Sequence, residues 1–329
     1  MRLNAYAPRP AHLKWLLDSD PAIRWQVMRD LTGESPSAIA AERSLVATEG
    51  WGAQLLARQT PAGSWSGSPR EWRSDLPKQH RDLLITLYSL TALMDLGVDP
   101  ASQPARKMID RVEKRLVFKW LDNRPYLDGE TEPCINGRIL GIGAYFRVPN
   151  KEPNDALARQ LVSEQLEDGG WNCEAPKSRR SSFHSTICVL EGLLEYEQAG
   201  RKSAAVTKSV AKARKKAENY LLERRMFRSL RTGKVIDKRW LRFSFPTFWH
   251  YDVLRGLDYL RNAGIKPDSR VDEAIEIVVE RRHQNGRWPM NRLHLEYIPL
   301  KMETAVGSAS RWNTLRALRV LRWYNNSTW

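Results

Sequence analysis

The chain has 329 residues, 42% of them apolar and 28% charged, with a formal charge of +15. That composition suits a folded globular chain with a sizeable core and excludes a disordered or collagenous one. No run of about 18 apolar residues occurs, and the opening MRLNAYAPRPAHLKW lacks a continuous apolar stretch, so the expectation is a soluble, cytoplasmic chain without a spanning helix.

Taken in chain order, six segments carry a wide apolar helical pattern: PAIRWQVMRDL from Pro21, LITLYSLTALMDLG from Leu84, INGRILGIGAYF from Ile135, FHSTICVLEGLLEYEQAG from Phe183, FWHYDVLRGLDYLRNAG from Phe248 and SRWNTLRALRVLRWY from Ser310. Between them run more charged segments, such as ARKMIDRVEKRLV and VDEAIEIVVERRHQ, with apolar residues at three- and four-residue steps on one face only. The first set reads as inner helices packed on several sides, the second as outer helices with one face in water. Prolines 61, 125, 133, 149, 153 and 246 fall between these patterns, and no sustained period-two alternation marks strands. The expected fold is all-α, a single domain over 1–329 of about six helical hairpins repeating every 50 to 65 residues. Successive hairpins are expected to bend round until the last meets the first.

Three outer helices are followed by glutamine, glycine and tryptophan: Gln59, Gly63 and Trp65; Gln165, Gly169 and Trp171; Gln284, Gly286 and Trp288. Glycine permits a left-handed exit from a helix, the indole covers apolar surface, and the amide can tie loose backbone groups, so each triplet is expected to staple one hairpin to the next.

With these triplets in register, the chain resembles the squalene cyclase and protein prenyltransferase β-subunit superfamily. The resemblance implies an α/α toroid with an apolar central cavity and an isoprenoid-like or other apolar ligand. The Asp-x-Asp-Asp acid of triterpene cyclases has no counterpart, the nearest string being Asp18 to Asp20. Prenyltransferase β-subunits hold zinc with Asp-x-Cys at one inner helix and histidine at the next; TEPCINGR and SSFHSTICVLEGL match these, so the resemblance implies Zn2+ on Glu132, Cys134 and His184. Three ligands with an open position suit a zinc that activates a thiol or water.

The departures are glutamate for aspartate, acidic LDGETE where the family has a basic pair, and a one-residue offset after His184. Lys177, Arg179 and Arg180 remain as cations for a phosphate, with Arg138 and Asn136 as further polar positions on an inner helix. The plain alternative makes Cys134 a small buried hydrophobe and His184 a helix-end residue. Asp252 and His250, in TFWHYDVL, are polar groups on a presumed inner helix and join His184 and Cys134 as candidate catalytic residues. Trp25, Tyr88, Tyr145, Phe183, Trp249, Tyr251 and Trp312 are expected either to line a cavity or to fill the core.

Two further functions stay open. Between Arg201 and Arg242 there are 15 Lys and Arg against Glu218, Glu223 and Asp237, a local balance of +12, which suits either a solvated face or a non-catalytic scaffold binding nucleic acid or an acidic partner. Hydrolase or lyase chemistry would need paired carboxylates, for which Asp128, Glu130 and Glu132 are candidates.

Overall fold

Several helices start where the sequence supplies a side-chain acceptor for the first unpaired N–H groups. Ser35, Ser102, Ser182 and Asp252 accept from Ala38, Ala105, Ser185 and Arg255 three residues on, and Asp20 from Ala22 two residues on. The computed structural model describes residues 6–69, 71–146, 152–200, 203–303 and 305–325. Its elements are α1 (Pro10–Leu17), α2 (Pro21–Val27), α3 (Pro36–Ser44), α4 (Gly50–Ala57), α5 (Lys78–Leu96), α6 (Gln103–Arg115), the antiparallel pair β1 (Val117–Phe118) and β2 (Arg124–Pro125), α7 (Pro133–Tyr145), α8 (Glu152–Ser163), α9 (Phe183–Gln198), α10 (Ala204–Glu223), α11 (Val253–Asn262), α12 (Asp272–Glu280) and α13 (Arg311–Asn325). No helix among the described residues is long and apolar enough to cross a membrane.

The alternation read from the sequence is present as burial. In α6 only Ala105, Met108, Ile109 and Val112 are buried, a single stripe at three- and four-residue steps, whereas α9 buries residues on every side from Phe183 to Tyr196. One expected helix is shorter than its pattern: α11 begins at Val253, because the Asp252 carboxylate caps it, so Phe248 to His250 precede the helix. His250 and Asp252 are therefore loop and cap residues, not positions along an inner helix.

Two compact units divide the chain, one of residues 46–220 with 296–300, the other of residues 1–45, 221–295 and 301–329. No shift of composition marks the division, one of whose crossings falls inside α10.

In the first unit α7 and α9 approach closely and run parallel. A Cβ on Gly137 would stand 2.6 Å from the Cys188 carbonyl oxygen, and one on Gly192 would collide with the carbonyl of Gly137. One turn further along, Gly141 again meets Gly192, so side chains larger than hydrogen would force the two helices apart. The Arg138–Glu191 ion pair at 2.8 Å ties the same two helices. Tyr145, at the end of α7, donates to the carbonyl of Val98 just past the end of α5, so α5 is parallel to this pair as well. The starts of α5, α7 and α9 consequently lie at one end of the unit.

The second unit repeats this arrangement with helices from both ends of the chain. Arg319 of α13 forms a two-pronged pair with Asp258 of α11 and bonds the Gln26 side chain of α2 at 3.0 Å, while Arg311 reaches the Asp18 carbonyl and Arg322 that of Asp30. The partners advance together along the chain, so α13, the last helix, lies parallel to α2.

All three tryptophan staples are formed. In each, the indole N–H donates to the carbonyl ten residues earlier, from Trp65 to Leu55, Trp171 to Leu161 and Trp288 to Val278, at 2.6 to 2.7 Å. The tryptophan backbone N–H donates to a threonine hydroxyl on the next buried helix, Thr86, Thr186 or Thr314. Each indole is fully buried, and its one polar atom is satisfied. Gln59 and Gln165 donate to the carbonyls of Gly63 and Gly169 and to Met108 and Ala213 on the following outer helix.

The third staple corrects the sequence reading. The residue six before Trp288 is Arg282, and its Nε donates to the Gly286 carbonyl at 3.2 Å as the glutamines do elsewhere; Gln284 is exposed. The helix that receives this third staple is α1, through His12 Nε2 donating to the Asn285 carbonyl at 2.9 Å.

Candidate functional site

The loop before α7 is folded back on itself by one buried side chain. Asn136 Oδ1 accepts from the Glu130 N–H at 2.6 Å and its Nδ2 donates to the Glu130 carbonyl at 2.8 Å, while the Glu130 carboxylate accepts from the N–H groups of Thr131 and Glu132. Asn136, expected as a ligand-facing polar group, is thus spent on backbone. The clamp leaves Glu132 as the residue before α7 and Cys134 in its first turn, with Cys134 Sγ 3.6 Å from Glu132 Oε2.

The second contributor comes from the middle staple. Trp171 is anchored to Thr186 in the first turn of α9, and two residues later the Cys173 N–H and Sγ both lie 3.3 Å from Ser185 Oγ. Because α7 and α9 start at the same end, Cys173 arrives beside Cys134. Ligand atoms of Glu132, Cys134 and Cys173 all lie within 4.8 Å of one another. The double glycine and tryptophan before Cys173 serve to place this sulfur at the head of α9.

This group differs from the expected one by a ligand. His184, in the first turn of α9 and half-buried, is not in it; Cys173 stands in the third position. The two cysteine side chains interact directly, and the S–H of Cys134, bonded to Cys173 and partly desolvated, is held well above the usual thiol range. Cys173, accepting that bond, is shifted the other way. Nearby, burial pushes the Tyr88 hydroxyl up, and the negative charge of Glu296 and Cys134 adds to the effect.

The remaining candidates are dispersed. Lys177, Arg179 and Arg180 are exposed on the loop between Cys173 and α9, and Arg138 is engaged with Glu191. Asp128 does not pair with Glu130, whose carboxylate is committed to its own loop. In the other unit the His250 and His294 rings stack at 3.8 Å, His294 Nε2 lies 2.6 Å from Ser244 Oγ, and Asp252 is buried with Arg316 at 3.9 Å. Trp25, Phe183, Tyr251 and Trp312 are core, whereas Tyr88, Tyr145 and Trp249 keep exposed surface. The basic stretch is partly neutralised: Arg214 pairs with Glu197 and Glu218, Arg225 and Arg228 with Glu273, and Arg239 with Asp237, while Lys208, Lys212, Lys215, Lys216, Arg231, Lys234, Lys238 and Arg242 are exposed. Arg201 and Lys202 lie outside the described residues.

Comparison with known proteins bears on the fold and not on the chemistry. No protein-family profile matches the chain, and no curated protein matches it in sequence. Among solved structures it is similar to a polysaccharide lyase, with a TM-score of 0.53 and 11% identity over 100% of this chain and 99% of that one. At such identity the likeness carries the fold alone: a mostly helical architecture shared end to end, compatible with an α/α toroid.

Proposed function

We propose that this chain is an α/α toroid holding a zinc ion on Glu132, Cys134 and Cys173, and that the ion activates a sulfur or oxygen nucleophile for transfer to an apolar substrate. The observation that carries the reading is the convergence of one carboxylate and two thiols, the thiols 39 residues apart in the chain, within 4.8 Å. Their spacing suits the ion: Zn–S and Zn–O bonds of about 2.3 and 2.0 Å at the tetrahedral angle put sulfur and oxygen about 3.5 Å apart, close to the 3.6 Å between Cys134 and Glu132. Both thiols would bind as thiolates, releasing their protons. Three protein ligands leave a fourth position, where bound zinc acts as a Lewis acid and lowers the pKa of a coordinated thiol or water.

The chain's own residues do the positioning. Asn136 and Glu130 set the loop that presents Glu132, and Trp171 and Ser185 set Cys173. Prenyl transfer from a diphosphate remains the narrower form of this reading, but Arg138 and Asn136 are engaged with Glu191 and Glu130, leaving the exposed Lys177, Arg179 and Arg180 to meet a phosphate.

Zinc analysis of protein purified without chelator and reconstituted with Zn2+ tests the proposal. The wild type is expected to hold stoichiometric zinc, Cys134→Ser and Cys173→Ser to lose it with helical circular dichroism retained, and His184→Ala to keep it. Absence of stoichiometric zinc in the wild type would overturn the metal reading. Loss on His184→Ala alone, with both serine variants loaded, would overturn the ligand set.

A further inference from the structure

We infer that Cys134 and Cys173 form a reversible disulfide when the chain meets a peroxide, making the head of α7 and α9 a redox-controlled site. None of the three cysteines is in a disulfide, and Cys134 and Cys173 are close to one another's ligand-bearing atoms and partly open to solvent; Cys188 is fully buried within α9.

The geometry leaves little to move. The two sulfurs lie within 4.8 Å, and a disulfide needs about 2.05 Å. Swinging one thiol between staggered side-chain rotamers carries its sulfur through about 3 Å, so closure requires side-chain rotation and small backbone adjustment. Cys134 belongs to the first turn of a helix whose packing on α9 is tight, but Cys173 is carried by the loop of 172–181, most of whose side chains are exposed. The adaptable partner is therefore Cys173.

The chemistry balances with a peroxide as the two-electron oxidant. One cysteine sulfur attacks a peroxide oxygen, the O–O bond breaks, and a sulfenic acid and water form for H2O2. The second sulfur then attacks the sulfenic sulfur, the S–O bond breaks, and the departing hydroxide takes the second thiol's proton and leaves as water, the first thiol's proton having left in the first water. The net change is two thiols and H2O2 to one disulfide and two waters. A thiol reductant reverses it by exchange.

The disulfide depends only on the two sulfurs; its effect on metal rests on the zinc reading above. A sulfur in an S–S bond no longer offers a thiolate, so the bridge removes two of the three ligands and would expel the ion. Conversely, bound zinc would occupy both sulfurs and slow their oxidation.

Intact-mass spectrometry and peptide mapping of chelator-treated protein, exposed to H2O2 and then to dithiothreitol, separate the two ideas. The expected result is a loss of about 2 Da, a Cys134–Cys173 linked peptide, and full reversal by reductant. Cys188→Ala is expected to behave as wild type, and Cys173→Ser to give no intramolecular bridge. Oxidation of wild type only to sulfinic acid, or a bridge involving Cys188, would overturn the inference. In a second arm the protein is loaded with Zn2+ first. At least tenfold slower bridging and zinc release in step with it supports the coupling. Bridging at the same rate with and without Zn2+ rejects the coupling while leaving the disulfide standing.

Discussion

Two carboxylates six residues apart, Asp252 and Asp258, are both buried, yet their surroundings drive them in opposite directions. Burial raises the acid of Asp252, and Arg316 at 3.9 Å is too distant to reverse it. Burial alone would raise Asp258 too, but Arg319 and Arg261 outweigh it and hold that carboxyl far below its ordinary 3.8. The consequence is a dependence of stability on acid. A depressed carboxyl contributes stability that is present above its unfolded value near 3.8 and lost as pH falls below it. Asp258→Asn should therefore cost about 3–5 kcal/mol at pH 7, since it leaves buried guanidinium groups without their counter-charge, and should flatten the loss of stability below pH 4. Asp252→Asn, which keeps an acceptor for the Arg255 N–H, should cost under about 1 kcal/mol. Urea denaturation at the two pH values checks both.

At the scale of elements, the staples explain how hairpins of unrelated sequence join in the same way. Indole N–H to carbonyl, backbone N–H to threonine and side-chain donor to glycine carbonyl recur at Trp65, Trp171 and Trp288. The sequence made the tryptophans and glycines legible because their spacing is constant, but it placed the third side-chain donor two residues late. Glutamine was sought by type, whereas the position asks only for a long donor, which Arg282 supplies. The two sites separate cleanly by mutation. Gln165→Ala strands two carbonyls and should cost about 1–3 kcal/mol. Gln284→Ala, at an exposed position, should stay within about 0.5 kcal/mol. Thermal and chemical denaturation of the two variants side by side decides between them.

For the molecule as a whole, the ends of the chain are what close the second unit. Helix α13 lies against α2, and His12 of α1 receives the staple that Trp288 terminates. His12 is buried with Nε2 donating to Asn285 and Nδ1 accepting from the Arg9 N–H, so its neutral form is the one that fits. Burial lowers its pKa from the ordinary 6.5, with nearby Arg282, Arg9 and Arg287 in the same direction. For a base lowered by folding, the unfolded chain binds the proton first; the contribution is full above pH 6.5 and is lost as pH falls through the folded value. Wild type should thus lose melting temperature between pH 7.5 and 5.5. His12→Gln, which does not titrate there, should start lower and change less over the same interval.

The sequence by itself determined the helices, their alternation between stripe and all-round burial, and the tryptophans and glycines of the three staples, and it named Glu132 and Cys134 as neighbours at the head of α7. Those are local properties: periodicity, caps and adjacency in the chain carry them. It did not determine which side chain from the next segment joins them. His184 and Cys173 are both near the start of α9, one in the helix and one in the loop before it, and chain distance cannot say which side chain turns toward α7. Only the tertiary structure decided that, through the close approach of Gly137 and Gly192 and the anchoring of Cys173 to Ser185. It likewise decided that Asn136 serves its own loop and that α1, first in the sequence, completes the last staple, because hydrogen-bond partners far apart along the chain are chosen by packing and leave no periodic trace in it.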